Sequence, residues 1–318
     1  MPKNRLDPGQ WVKRIRAETS KLNQDNITRT DAYFQFYRRH PEIKWAFLAS
    51  MVSRNAGWNM CDLGGVLSAM IPEQARKQLF STYERANWMI FHDAYPQLLV
   101  YRYATLYDPG LLEILPAFQT SRFMVTEWAH FFQYRNQERL LNALIINEQN
   151  LIQHPVVGHP YYRRRVFSSI WYRLQDLFHL NCVVFPTLEG RLYGDSVVHF
   201  NNTGKRIALG KRLAGILFHP DIYTRFFRFA LNIPHTGSRY DYECLFGLTQ
   251  DAPALRAIFP VVRHDWKEKR DWSKGKKLQK EWFLPGELEH PLDITNWYFR
   301  KRKRIRQFSA MAEQLKRW

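Results

Sequence analysis

The chain has 318 residues, 45% apolar and 15% aromatic, and carries 47 Lys and Arg against 29 Asp and Glu, a net charge of +18. That composition excludes an intrinsically disordered chain and supplies enough apolar material for a sizeable core. The charge bears on partners rather than on fold and points to an anion: nucleic acid or another polyanion, an acidic lipid surface, or an acidic protein.

A first helix is expected from near Pro8 to Leu22, followed by a polar stretch in which Thr28 or Thr30 can cap a second helix. Ala32, Tyr33, Phe36 and Tyr37 form the apolar stripe of that helix. His40-Pro41 separates it from a third, whose stripe is Ile43, Phe47, Leu48 and Met51 and which Gly57 is expected to end. Asp62 can cap a short helix through Met70, Pro72 opens a long one toward Asp93, and Pro96 opens another that closes near Asp108-Pro109-Gly110. Helical spacing continues over Leu111–Leu115, Ser121–Tyr134, Gln137–Gln153 and Tyr161–Leu180.

The pattern then changes. Cys182–Phe185, Arg191–Tyr193 and Val197–Phe200 are short, β-branched or aromatic, and punctuated by Gly190 and Gly194, which predicts a small β hairpin or three-stranded patch near residues 182–200. Helical spacing returns over Lys205–Phe218, Asp221–Asn232 and Ala252–Ile258; Arg263–Glu289 is charged, Trp-containing and irregular; Asp293–Trp318 closes as an amphipathic helix. The fold expected is mainly α, a compact multi-helix globular protein with that small β element. The expected organisation is a helical body over 1–262, with a soft division near 181–202, and a basic segment with its helix over 263–318.

Three widely spaced cysteines, Cys61, Cys182 and Cys244, speak against a disulfide framework or zinc knuckle and suit a reducing, cytoplasmic setting. Met1–Lys21 is charged throughout, unlike a signal peptide. The longest stretch without Asp, Glu, Lys or Arg, Gln149–Tyr162, has 14 residues and is too short to span a bilayer.

Four features could carry chemistry. Arg54 falls about 20° from Phe47 on the apolar stripe of its helix, and a guanidinium there must be paired. Asp62 is a candidate partner, and Arg29 lies similarly on the Tyr33/Tyr37 face. The sharper reading is an anion pocket formed by Arg29 and Arg54 and shaped by Asn55, Trp58 and Asn59; the plainer one is a structural Arg–Asp pair. The second feature is His235-Thr236-Gly237-Ser238-Arg239-Tyr240-Asp241-Tyr242-Glu243, in which Arg239, Asp241 and Glu243 could form an acid/base or metal-assisted site on an anionic, phosphate-bearing substrate. A glycine turn with Ser238 as helix cap explains most of the same residues.

Third, Glu127/His130 and Asp176/His179 repeat a carboxylate-x-x-His spacing, but Asp176 and His179 lie opposite the apolar stripe of their helix and His130 lies on the far side from Trp128, so no metal site and no cofactor is expected. Fourth, Arg300-Lys301-Arg302-Lys303-Arg304 and Arg306 lie in the last helix, whose other face carries Ile294, Tyr298, Ile305, Phe308, Ala312 and Leu315. Arg263–Trp318 contains 16 basic and 8 acidic residues. Basic and aromatic residues also alternate at Tyr161-Tyr162-Arg163-Arg164-Arg165, a mixture suited to phosphate contact and base stacking. The leading expectation is therefore a nucleic-acid-associated protein. An enzyme acting through the Arg/Asn/Asp pocket, and a scaffold binding a protein partner or acidic membrane through the last helix, are the alternatives.

Thr28-Arg29-Thr30, His40-Pro41-Glu42-Ile43, Trp45-Ala46-Phe47-Leu48-Ala49, Ser53-Arg54-Asn55 and Gly57-Trp58-Asn59-Met60 together resemble a family of uncharacterised proteins from Bacillus-type Gram-positive bacteria, the YppC-like domain of unknown function. The resemblance implies a bacterial cytosolic setting and brings no activity, cofactor or catalytic residue with it.

Overall fold

The computed structural model describes residues 7–159, 182–196, 202–247, 253–266, 269–284, 286 and 293–315. The expected helix over 161–180, Arg163–Arg165 within it, and the third expected strand at 197–200 lie outside the described residues.

The chain is mainly helical. Helices α1 (Pro8–Leu22), α2 (Asn26–Arg39), α3 (Lys44–Gly64) and α4 (Glu73–Leu106) are followed by a 3-10 stretch at Pro109–Phe118, then α5 (Arg122–Tyr134) and α6 (Gln137–Leu151). Strands β1 (Cys182–Pro186) and β2 (Leu192–Ser196) form an antiparallel hairpin in which Val184 pairs with Gly194. Helices α7 (Thr203–Leu217) and α8 (Tyr223–Asn232), the single turns α9 (Tyr240–Glu243) and α10 (Leu255–Ile258), and the long α11 (Thr295–Leu315) complete the described chain.

Helix α3 is the central element. It packs against α2, α4, α6, α7 and β1, and its Trp45, Phe47 and Trp58 are fully buried. A helix buried all round needs apolar residues all round, and α3 supplies them. Aromatic rings from distant parts of the chain meet on it: Tyr37 stacks on Phe47 at 5.0 Å, and Phe47 touches Phe218 and Phe227 at 6.1 and 5.9 Å. The apolar core is continuous from Trp11 on α1 to Tyr298 on α11.

Four local expectations are corrected. Gly57 does not end α3, which runs seven residues past it to Gly64. The glycine is there for close approach: a Cβ at that position would lie 2.3 Å from Asn26 Oδ1 and 2.8 Å from His235 Nε2. Pro96 does not open a helix but sits inside α4. Buried Leu98, Leu99, Val100 and Tyr101 beyond it hold the helix together against a proline cost of about 3 kcal/mol. Asp62 starts no helix of its own, because it is the antepenultimate residue of α3. Finally, α2 is capped by Asp25, whose carboxylate accepts from Thr28 N at 2.8 Å, and not by Thr28 or Thr30.

Candidate functional site

Two short stretches converge beneath α11. The last turns of α3 carry Asn59 and Asp62 one turn apart. The turn before α9 is set by Gly237, in the left-handed region at φ 78°, where a Cβ would also strike Leu255 at 2.5 Å. Ser238 Oγ accepts from Tyr240 N, and the turn delivers Arg239, Tyr242 and Glu243 to one face. Helix α11 presents Tyr298, Arg302 and Arg306 at four-residue spacing.

The side chains close on one another. Arg239 Nε donates to Asp62 Oδ2 at 2.7 Å, one terminal nitrogen to Asn59 Oδ1 at 2.6 Å, and the other to the hydroxyls of Tyr242 and Tyr298 at 2.7 and 3.0 Å. Arg302 donates to Asp62 at 3.1 Å and to Glu243 at 3.0 Å, and Arg306 donates to the second Glu243 oxygen at 2.7 Å. Asp62, Arg239, Glu243 and Arg302 are all buried. Burial alone would pull the Arg239 pKa down, but Asp62 beside it holds the guanidinium well above its usual range; Arg302 behaves in the same way.

These residues line a small cavity of about 320 Å³ together with Cys61. The Cys61 thiol is pushed up to about 12 by burial and by Asp62, and it donates to the Pro253 carbonyl. It is therefore kept protonated and is not an activated nucleophile. The cavity joins the Asp62 and Arg239–Glu243 motifs, and its Asp62 and Glu243 carboxylates are engaged with guanidiniums, while Glu313, also in the lining, is exposed.

The remaining residues of the two motifs serve other contacts. Arg54 does not meet Asp62; it donates to the Ile233 and Ala230 carbonyls at 2.9 and 3.1 Å and so caps the end of α8. Burial draws its pKa down to about 10. Arg29 pairs with buried Glu84 at 2.5 Å. Asn55 bridges α3 to β1, accepting from Val184 N at 2.7 Å and donating to Val184 O at 2.8 Å. Trp58 Nε1 donates to Asp241 Oδ2 at 3.0 Å. Asp241 also accepts from Thr236 N, and it faces His235 Nδ1 at 3.2 Å, while His235 Nε2 faces Asn26 Oδ1 at 2.8 Å. Burial lowers the pKa of His235 against the pull of Asp241. Arg29, Arg54, Asn55 and Trp58 thus each have separate protein partners. On α5, Glu127 is held by Arg139 at 2.7 and 2.9 Å.

Within the basic cluster of α11 the side chains divide. Arg302 and Arg306 turn inward to the ion pairs, whereas Arg300, Lys303 and Arg304 are exposed. Lys301 lies 4.5 Å over the Trp297 ring, and burial lowers its pKa to about 8. The inward stripe is Tyr298, Arg302, Ile305 and Ser309, while Phe308, expected on that stripe, is half exposed.

Sequence reasoning missed two sizeable concavities. Cavities of about 860 and 870 Å³ flank the extended segment Arg263–Trp266, which lines both. The segment has no periodicity; its mixture of Trp, His and charge was the available signal.

The fold and site define a mainly α protein organised around a buried charge network and an outward basic helix face. No helix of the described residues is long and apolar enough to cross a membrane. Residues 21–299 match the family described as "Protein of unknown function (DUF2515)", and the chain belongs to that family. It is 45% identical over 309 residues to "Uncharacterized protein YppC" of Bacillus subtilis (strain 168), an alignment covering 96% of each chain. No solved structure matches.

Proposed function

We propose that the protein binds nucleic acid through the outward face of α11. The observation that carries this reading is the division of the basic cluster: two arginines neutralise internal carboxylates, and Arg300, Lys303 and Arg304 are left at the surface. Phosphate contacts by exposed Arg and Lys supply affinity without sequence selection, and the half-exposed Trp297 and Phe308 on the same helix offer stacking surfaces. The net charge of +18 supports the same partner class. Three free cysteines, two of them buried, support a reducing cytoplasmic location.

The enzyme reading is less well supported, because Asp62, Arg239 and Glu243 are held in ion pairs with one another and with α11. The test is fluorescence anisotropy of a labelled single strand of DNA or RNA across a salt series. The variant Arg300→Gln/Lys303→Gln/Arg304→Gln leaves Arg302 and Arg306 in place. It is expected to reduce the slope of log K against log salt by about 2, at roughly 0.7 per lost phosphate contact. Absence of binding at low salt, or an unchanged slope, refutes the reading.

A further inference from the structure

The cavity of about 860 Å³ lies between α1, α4 and the extended Arg263–Trp266 segment. Its size is that of a small-molecule site rather than of a packing defect. One wall is built of rings. Trp88 and His92 stack at 4.8 Å with an interplanar angle of 12°, His264 lies 5.4 Å from Trp88, and Trp266 lies 6.0 Å from His92. Such a wall suits a flat, apolar-faced ligand.

Two polar atoms in the lining have no protein partner. Thr19 Oγ1 is buried on a side chain that is only 3% exposed, and His264 Nε2 is likewise buried. A buried hydroxyl or imidazole nitrogen without a partner is destabilising, and a ligand with polar edge atoms would supply one. Burial, then Arg85 and Arg29, push the His264 pKa down to about 4, so its ring is neutral at physiological pH and can donate or accept according to tautomer. Pro96, also in the lining, has no N–H to give the His92 carbonyl one turn earlier. The charge at the rim is cationic: Arg16, anchored by one donation to the Ala117 carbonyl at 2.8 Å, and exposed Arg263, against Asp265.

From this combination we propose that the cavity binds a planar heteroaromatic anion of mononucleotide size, with its ring on the Trp88–Trp266 wall, its polar edge toward Thr19 and His264, and its anionic group toward Arg16 and Arg263. Neither feature suffices alone. The ring wall without the arginines would suit a neutral aromatic compound, and the arginines without the wall would suit inorganic phosphate.

Isothermal titration calorimetry on the full chain tests this with four probes: AMP, flavin mononucleotide, adenosine and inorganic phosphate. AMP or flavin mononucleotide is expected to bind at one site below about 1 mM, with adenosine and inorganic phosphate at least about tenfold weaker. Trp266→Ala and Arg263→Ala, both on an irregular and partly exposed segment, are each expected to weaken binding about tenfold. Thr19→Val, which keeps the shape of a buried side chain, should weaken it severalfold. Failure of both planar anions to bind at about 1 mM overturns the proposal, as does binding that both Trp266→Ala and Arg263→Ala leave unchanged. The Arg300→Gln/Lys303→Gln/Arg304→Gln variant should bind the same probe as tightly as the parent, which separates this site from the α11 face.

Discussion

Arg302 on α11 and Asp62 at the end of α3 are 240 residues apart in sequence and meet at 3.1 Å, both buried. The pair ties the basic C-terminal helix to the central helix of the body. A buried ion pair adds little net stability as a whole, but removing one partner strands the other charge, at a cost of about 3–5 kcal/mol. Arg302→Ala leaves Asp62 its Arg239 partner and Glu243 its Arg306 partner, so it is expected to lower unfolding stability by less than that, about 2–3 kcal/mol in urea denaturation, through the two charge-assisted hydrogen bonds lost. Arg300→Ala, on the exposed face, should stay within about 0.5 kcal/mol. Equal effects for the two variants would show that α11 is not anchored through this network.

The helical wheel that marks Arg54 as inward-facing would mark Arg302 as well, since it lies four residues after Tyr298 and three before Ile305. Five basic neighbours hide it in a pattern that looks like one solvated face. The wheel also finds that Arg29 and Arg54 are buried, but it cannot name their partners. Asp62 goes to Arg239 and Arg302, and Arg54 goes to carbonyls at the end of α8, because tertiary packing decides which groups come within reach. Helix identities and the hairpin were legible because they follow from period and turn residues. The continuation of α3 through Gly57 and of α4 through Pro96 was not, since neighbouring elements override the local preference there. The cavities beside Arg263–Trp266 had no periodicity to betray them.

Glu148 on α6 has an unusual charge balance. Burial raises its pKa to about 7, opposed by hydrogen bonds from Gln149 and Trp45 and by the more distant Arg206. The folded pKa lies above the unfolded one, so the group's contribution is fully present below about pH 4.3 and is lost as pH rises through about 7. Glu148→Gln should therefore stabilise the protein at pH 8 by about 1–2 kcal/mol, a figure reduced for the side chain's partial exposure, and do little at pH 4.5. Thermal unfolding of both proteins from pH 4.5 to 8.5 reads this directly. A variant curve parallel to the parent across that range would mean that Glu148 ionises normally.

Gly57→Ala sets two effects of opposite sign against each other. Alanine gains about 1 kcal/mol over glycine inside a helix. Here its Cβ would sit 2.3 Å from Asn26 Oδ1 and under 3 Å from two atoms of the His235 ring. Both side chains are buried and hydrogen-bonded, Asn26 donating to Ser53 O at 2.8 Å, so neither can swing aside cheaply. Overpacking of this kind costs about 1–3 kcal/mol. The net expectation is destabilisation by about 1–2 kcal/mol in chemical denaturation. A more stable variant would mean that Asn26 and His235 yield readily.

Asp241 gathers the His235–Thr236 turn onto α3, accepting from Trp58 Nε1 at 3.0 Å and Thr236 N at 3.1 Å and facing His235 at 3.2 Å. Burial raises its pKa, but the His235 pair and the hydrogen bonds from Thr236 and Trp58 outweigh it and hold the carboxyl below its ordinary value. A carboxylate depressed in this way contributes stability above its unfolded pKa near 3.8 and loses it as pH falls through the lower folded value. Asp241→Asn keeps the shape but removes the charge and offers an N–H where one of the donors now points. The expected loss at pH 7 is about 2–4 kcal/mol, shrinking as pH falls below about 4 and the parent's own carboxylate becomes protonated. Urea midpoints at pH 7 and pH 3 separate this from a simple packing defect, which would cost the same at both.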